Sequence, residues 1–311
     1  MMTDGRQPTT DSAPALRALL AEIVDYAGLF PPARLAMEPA VACYAEALVS
    51  PAAWMLGRFV VPLARLDEFE AAVASYAESM ERSPWRLSAL GAGESETELA
   101  ALEAFNHRWA ARAQMDAFET RVSDAAEIER VRRALPVGVA AYLELPVEAD
   151  PAPLVAAVGA AGLRAKIRTG GIKPEAFPSP AEVLRFLAAC ARLDVPFKAT
   201  AGLHHPLRAE YALTYEPDAP RGLMFGYLNV FLAAALLRAG EVEAVAAEML
   251  VESNPAALRL EVNGLRWRNH LLDAEMLRQA RRSFAVSFGS CSFDELVEGM
   301  VGIRGQSSGG A

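Results

Sequence analysis

Lysine is the scarce residue of this 311-residue chain: only Lys166, Lys173 and Lys198 are present, and the other 27 basic residues are arginines. Cysteine is as rare, at three, and histidine nearly so, at four. Cys43, Cys190 and Cys291 are odd in number, far apart and without CxxC spacing, which excludes a disulfide framework and a zinc ribbon. No apolar run reaches the ~20 residues of a membrane-spanning helix. The most apolar stretch, 223–237, is shorter and contains Asn229, so it reads as a buried helix. Excess positive charge is absent as well. A net charge of −9 offers no general attraction to nucleic acid or anionic lipid. Disorder is excluded by the 53% hydrophobic content.

The polar start, 1–13, has no apolar run behind a basic segment, which points to a reduced, cytoplasmic protein rather than a secreted one. Residues 1–13 and the Gly/Ser-rich 304–311 are expected to be disordered. Between them a single domain is expected over 14–303, opening with N-terminal helices within 14–56.

What the chain does have is alternation. Short β-like runs fall at 58–62, 86–90, 115–121, 138–145, 163–169, 196–201, 257–262 and 284–288, the seventh also readable as an arm of a small hairpin. Helical patterns precede them at 14–24 and 37–49, and separate them near 66–80, 95–111, 124–134, 151–161, 180–193, 223–238 and 273–282. Strands alternating with helices predict a parallel sheet covered by helices. Eight of them predict an α/β fold of the (β/α)8 TIM-like barrel type, whose usual size is about 250 residues, with an N-terminal helical extension. An open doubly wound sheet would show a glycine fingerprint after its first strand, and RFVVPLARLDEF has none.

In such a barrel every second strand residue points inward, and catalytic groups gather at the C-terminal strand ends. That period places Glu119 with Arg121, Tyr142 with Glu144, Lys166 with Arg168, and Lys198 with Thr200 at one end. Thr169-Gly170 follows the fifth predicted strand, Gly202-Leu203-His204-His205 the sixth, and Ser290-Cys291-Ser292 the eighth. Buried charge is costly unless paired, so this concentration is a site or a salt-bridge core. Arginine replaces lysine readily on a solvated surface. It cannot do so where an amine must lose its proton or form an imine. Lys198 and Lys166 are therefore expected as a reactive amine and its neighbour, each lowering the other's pKa. Glu119 or Glu144 would carry the proton, and Arg168 with Ser290, Cys291 and Ser292 would hold an anionic group.

Two resemblances attach to these residues. The run Lys166-Ile-Arg168 resembles the lysine–x–arginine strand of class I fructose-bisphosphate aldolases, and Lys166-Ile-Arg-Thr-Gly with Lys198-Ala-Thr-Ala-Gly is similar to the two lysine strands of deoxyribose-phosphate aldolases. The resemblance implies a Schiff-base lysine tuned by a second one, and it covers two short strands. The strings DYAGLFPPA, KIRTGG, KATAGLHHP and SFGSCSF resemble those of an uncharacterised bacterial β/α-barrel family.

The expectation is thus an aldolase- or lyase-like enzyme acting on a small anionic carbonyl metabolite, an oxo-acid or a sugar phosphate. It needs no cofactor and no partner beyond its substrate, except a homo-oligomer of its own chain. Asp25, in the loop before the barrel, is expected either to fold over the mouth or to belong to a plug. Arg208 is expected as an anion clamp. One alternative is a metal-assisted lyase, isomerase or hydrolase using His204, His205 and a glutamate, although no HxH or HExxH spacing is present. Another is a barrel that binds a metabolite without turning it over.

Overall fold

The apolar runs stack into a parallel ladder because strands buried on both faces need helices on their outer side. A computed structural model describes residues 14–93 and 95–307. Along the chain run α1 (Pro14–Leu20), β1 (Val24–Tyr26), α2 (Met37–Val49), β2 (Leu56–Pro62), α3 (Leu66–Ala72), α4 (Ala77–Arg82), β3 (Trp85–Leu90), α5 (Ser95–Trp109), β4 (Ala113–Arg121), α6 (Ala125–Ala134) and β5 (Ala140–Glu144). Then come α7 (Ala152–Ala160), β6 (Arg164–Arg168), α8 (Pro180–Arg192), β7 (Phe197–Thr200), the hairpin β8 (Ala209–Ala212) and β9 (Arg221–Met224), α9 (Tyr227–Arg238) and α10 (Glu243–Leu250). The chain continues through β10 (Leu258–Glu261), β11 (Gly264–Trp267), β12 (His270–Asp273), α11 (Ala274–Ser283), β13 (Ala285–Ser290) and α12 (Asp294–Ser307). Strands β1 to β7 and β13 close into an eight-stranded parallel barrel in which β13 pairs with both β7 and β1. The TIM-like barrel expected from the sequence is the fold.

Two strand assignments change. Residues 257–262 are not in the barrel: β10 pairs antiparallel with β11 in a separate three-stranded sheet. The missing barrel strand is β1, in a stretch expected as the end of a helix and a loop. Helix α1 stops at Leu20, and Val24, Asp25 and Tyr26 are all buried. Three residues are too few to display any period, and only their register against β13 (Asp25 opposite Gly289) and β2 defines them as a strand. Asp25 therefore sits in the barrel wall, not in a lid. The expected domain end at 303 falls inside α12. Residues 1–13 and 308–311 lie outside the described residues.

Local signals account for the elements around the site. Helix α8 starts with a capping box, in which Ser179 Oγ accepts from the Glu182 amide (3.3 Å) and the Glu182 carboxylate accepts from the Ser179 amide (2.6 Å). Helix α9 is the apolar stretch read from the sequence and is buried almost throughout. Its Asn229 accepts from the amides of Arg208 (2.7 Å) and Gly226 (3.1 Å) and donates to the carbonyls of Met249 and Glu252 (both 2.8 Å). That amide thus ties the loop after β7 to the end of α10. No described helix is long and apolar enough to cross a membrane. A run of rings, with Tyr26–Phe59 at 5.6 Å and Phe59–Phe69 at 5.8 Å, connects the β1–β2 wall to α3.

Candidate active site

Register assembles the charged residues. Lys166 on β6 lies opposite Lys198 on β7 and Glu144 on β5, while Glu119 on β4 lies opposite Tyr142 on β5. Their inward side chains form one ladder of alternating charge. At its base, Lys198 Nζ is 2.6 Å from Asp25 Oδ2 and also contacts Glu119 Oε1. Above it, Lys166 Nζ bridges Glu119 Oε2 (2.9 Å) and Glu144 Oε2 (3.0 Å). At the top, Arg121 Nε and Arg168 Nε both reach Glu144 Oε1 at 3.0 Å. Hydroxyls complete the buried carboxylates: Ser88 Oγ donates to Glu119 (2.6 Å) and Ser287 Oγ to Asp25 (2.8 Å). The Arg58 amide donates to Asp25 Oδ1 at 2.7 Å. Gly57 permits this approach, since a Cβ there would stand 2.5 Å from the same oxygen.

Electrostatics follow from the pairing. Burial penalises the Lys198 ammonium, but Asp25 and Glu119 overcome it and hold its pKa above that of free lysine. The expected mutual lowering of two ammonium groups therefore does not operate at Lys198, because carboxylates separate and outnumber its cationic neighbours. Burial would raise Glu119, yet Lys198, Lys166 and Ser88 bring it far below the usual carboxylate range. Asp25 is lowered against the same burial by Lys198 and Arg58. Glu144 is brought to about 2, with burial opposed by Lys166, Arg168 and Arg121.

A cavity of about 490 Å³ opens over the C-terminal strand ends. Glu119, Glu144, Lys166, Arg168, Thr200, His204 and Cys291 line it, as expected, and so does Arg121. Lys198 and Asp25 lie below it and are fully buried. The other expected residues take different places. His205 stacks on Tyr211, ring centroids 3.5 Å apart, and is not in the wall. Thr169 Oγ1 donates to the Ala201 carbonyl at 2.6 Å, and Gly170 passes so close to Gly202 that a Cβ would meet its Cα at 2.9 Å. Both positions brace the loops after β6 and β7. Ser290 Oγ donates to the Ser292 carbonyl (3.0 Å), and Ser292 Oγ accepts from the Glu295 amide at the start of α12 (3.3 Å), so the turn after β13 spends its hydroxyls on itself. Arg208 lies over the Phe225 ring at 5.8 Å, outside the cavity wall.

Several participants carry no sequence signal. Ser88, Ser287 and Arg58 are common residue types whose value depends on the carboxylate opposite them. Thr120 lines the cavity with a buried hydroxyl that has no partner among the described residues. Ala27, Phe30 and Pro31, from the segment after β1, form an apolar side of the cavity.

Cys291 Sγ lies between His204 Nδ1 (3.9 Å) and Tyr215 Oη (3.8 Å), and the same His204 nitrogen is 3.6 Å from Glu295. Burial pushes the thiol up to about 11 and the imidazole down to about 4, the latter helped by His205, so both rest uncharged. Among the described residues no group of three or more His, Cys, Asp and Glu is arranged to hold a metal ion. Of the adjacent pair, His204 lines the cavity while His205 stacks on Tyr211 outside its wall.

No protein-family model matches this sequence, and no curated protein does either.

Proposed function

We propose that the chain is an aldolase- or lyase-like enzyme that forms an enolate from a small anionic carbonyl compound at the C-terminal mouth of the barrel. The observation that carries this reading is the joint position of Lys166, Glu144, Arg121 and Arg168 in one 490 Å³ cavity. The volume suits a metabolite of modest size. Three carboxylates (Asp25, Glu119, Glu144) face two lysines and two arginines, leaving a surplus positive charge at the open end. Arg121 and Arg168 are the exposed members, with side chains 74% and 41% accessible, and they offer a carboxylate or phosphate a planar fork.

Lys166, held between two carboxylates, donates to the substrate carbonyl oxygen. Glu144 takes a proton from the substrate. In a retro-aldol direction that proton leaves a β-hydroxyl, the Cα–Cβ bond breaks, and its electron pair moves to the carbonyl oxygen held by Lys166. The resulting enolate recovers the proton from Glu144 at carbon. A carboxylate with pKa about 2 is a weak base. The substrate itself corrects this: its anionic group draws Arg121 and Arg168 away from Glu144 Oε1 and removes two of the charges that hold the pKa down.

The Schiff-base version, suggested by the resemblance to class I aldolases, requires Lys166 to leave both carboxylates and lose a proton. Borohydride trapping separates the versions. Proton exchange at the substrate α-carbon in D2O, across a panel of 2-oxo acids and sugar phosphates, tests both. Exchange that Lys166→Met and Glu144→Gln abolish, without a reducible adduct, supports the enolate version. An adduct on Lys166 supports the imine. Exchange with no substrate of the panel, but saturable binding of one, supports the non-catalytic barrel, which the complete pairing of the resting ladder favours.

A further inference from the structure

The opposite end of the barrel carries a second cavity, of about 750 Å³. It lies at the N-terminal ends of β2, β3, β6 and β13, between α1 and α11. Seven of its twelve lining residues are arginines, in a chain whose net charge is −9. Arg17 lies over the Trp54 ring at 5.3 Å, and partners divide the other six arginines into two groups. Arg58 and Arg86 share Asp116, at 2.5 and 3.1 Å, Arg86 also holds Glu22 at 2.5 Å, and Arg278 pairs with Glu275. Arg164, Arg281 and Arg282 meet no carboxylate among the described residues. Arg164 donates to the neutral hydroxyl of Tyr142 at 2.7 Å. Arg281 is 7% exposed and donates only to backbone carbonyls, those of Leu19 (2.6 Å), Ala21 (3.0 Å), Ala285 and Val286. Arg282 is exposed and makes no ion pair or hydrogen bond with a described residue.

The Arg281 guanidinium thus has its donors satisfied by carbonyl dipoles while making no direct ion pair with a described carboxylate. Burial accordingly lowers Arg281 to about 10. Two further guanidiniums without carboxylates stand on the same cavity, on separate elements: Arg164 at the start of β6 and Arg282 in α11. Among the described residues, three guanidiniums on this cavity thus lack a direct carboxylate partner, and they are spread across the opening. Guanidinium forks match phosphate oxygens bidentately.

We propose that this cavity is a binding site for a small phosphate-bearing anion with at least two charged groups, of the pyrophosphate or diphosphate-ester class, separate from the site at the C-terminal mouth. Its occupancy would reach the other site through Arg58. That residue holds Asp116 on the cavity side, and its amide donates to the Asp25 carboxylate that holds Lys198.

The test is calorimetric titration of the full chain with pyrophosphate. The mouth is first disabled as an anion site by Arg121→Gln/Arg168→Gln, so that only the second cavity is read. Saturable binding in this background, weakened about tenfold or more on adding Arg164→Gln/Arg282→Gln, is the expected result. Arg282→Gln alone, which removes no internal partner, should weaken binding without moving the melting temperature. Absence of binding in the mouth-disabled chain, or binding that survives Arg164→Gln/Arg282→Gln, overturns the proposal. Neither outcome bears on the enolate reading, whose variants lie at the other end of the barrel.

Discussion

Replacing Lys198 by methionine removes the one cation shared by two fully buried carboxylates. Asp25 then keeps the Ser287 hydroxyl, the Arg58 amide and the Arg58 guanidinium at 4.0 Å, while Glu119 keeps Ser88 and Lys166. Breaking a buried pair from one side costs ~3–5 kcal/mol, and here both carboxylates lose a partner, so the upper part of that range applies. For a domain of this size the melting temperature should fall by roughly 10 °C or more. The pH dependence gives a sharper test. In the parent chain Asp25, Glu119 and Glu144 lie below their unfolded values, and their contribution is present above an unfolded pKa of about 4. That contribution is lost as pH falls through the folded values, which for Glu144 is about 2. Without Lys198, burial dominates Asp25 and raises it above its unfolded value. Its contribution then has the opposite sign, favouring the fold at low pH and lost as pH rises through the raised pKa. Melting curves between pH 7 and pH 5 should therefore show the parent flat or declining with acidification and Lys198→Met gaining stability. Asp25→Asn added to Lys198→Met should restore part of the loss and remove the gain. A Lys198→Met chain that melts within about 2 °C of the parent, with the same pH slope, would refute the buried ladder.

Arg121→Gln and Arg168→Gln should each raise KM for an anionic substrate about tenfold or more with little change in melting temperature, because exposed ion pairs contribute ~0–1 kcal/mol; steady-state kinetics beside thermal melts checks the split. Cys291, its thiol raised to about 11, should react with iodoacetamide far more slowly at pH 7.5 than the exposed Cys43, as peptide mass spectrometry would show, and equal rates would place Cys291 outside its buried contact with His204. Asn229→Ala removes four hydrogen bonds at a fully buried position and strands the Arg208 and Gly226 amides, while the Met249 carbonyl keeps the Glu252 amide, so a loss of roughly 3 kcal/mol or more is expected in denaturant titration.

The barrel and the inward period on four of its strands are legible from sequence, because Glu119/Arg121, Tyr142/Glu144, Lys166/Arg168 and Lys198/Thr200 obey the two-residue repeat that a closed sheet imposes. The misassigned strand is instructive in its pattern. Leu258, Arg259, Leu260 and Glu261 alternate apolar with charged, the signature of an antiparallel strand with one wet face. The barrel strands read otherwise: in β1 and in Phe197-Lys198-Ala199 each successive residue is buried, polar or not. Pairing context, not composition, decides between them. The same holds for Ser88 and Ser287, whose hydroxyls matter only because Glu119 and Asp25 arrive opposite them from strands far away in sequence.

The scarcity of lysine resolves into two separate causes once depth is assigned. Lys198 needs no chemistry to explain its retention. It occupies a fully buried position between Asp25 and Glu119, where a compact point charge on a slender stem fits and a wider guanidinium plane would displace the Tyr142 ring 5.8 Å from its amine. Packing alone forbids arginine there. Lys166 stands one step higher, in the wall of an open cavity whose rim already carries Arg121 and Arg168. Space at that level admits guanidinium, so sterics do not account for the amine. What distinguishes ammonium at this position is three donors on one rotatable nitrogen, which can serve Glu119, Glu144 and an incoming carbonyl oxygen where a planar fork cannot. Lys166→Arg should therefore preserve the fold and lose turnover, whereas Lys198→Arg should lose the fold. Equal activity in Lys166→Arg and the parent would return both lysines to the status of countercharge.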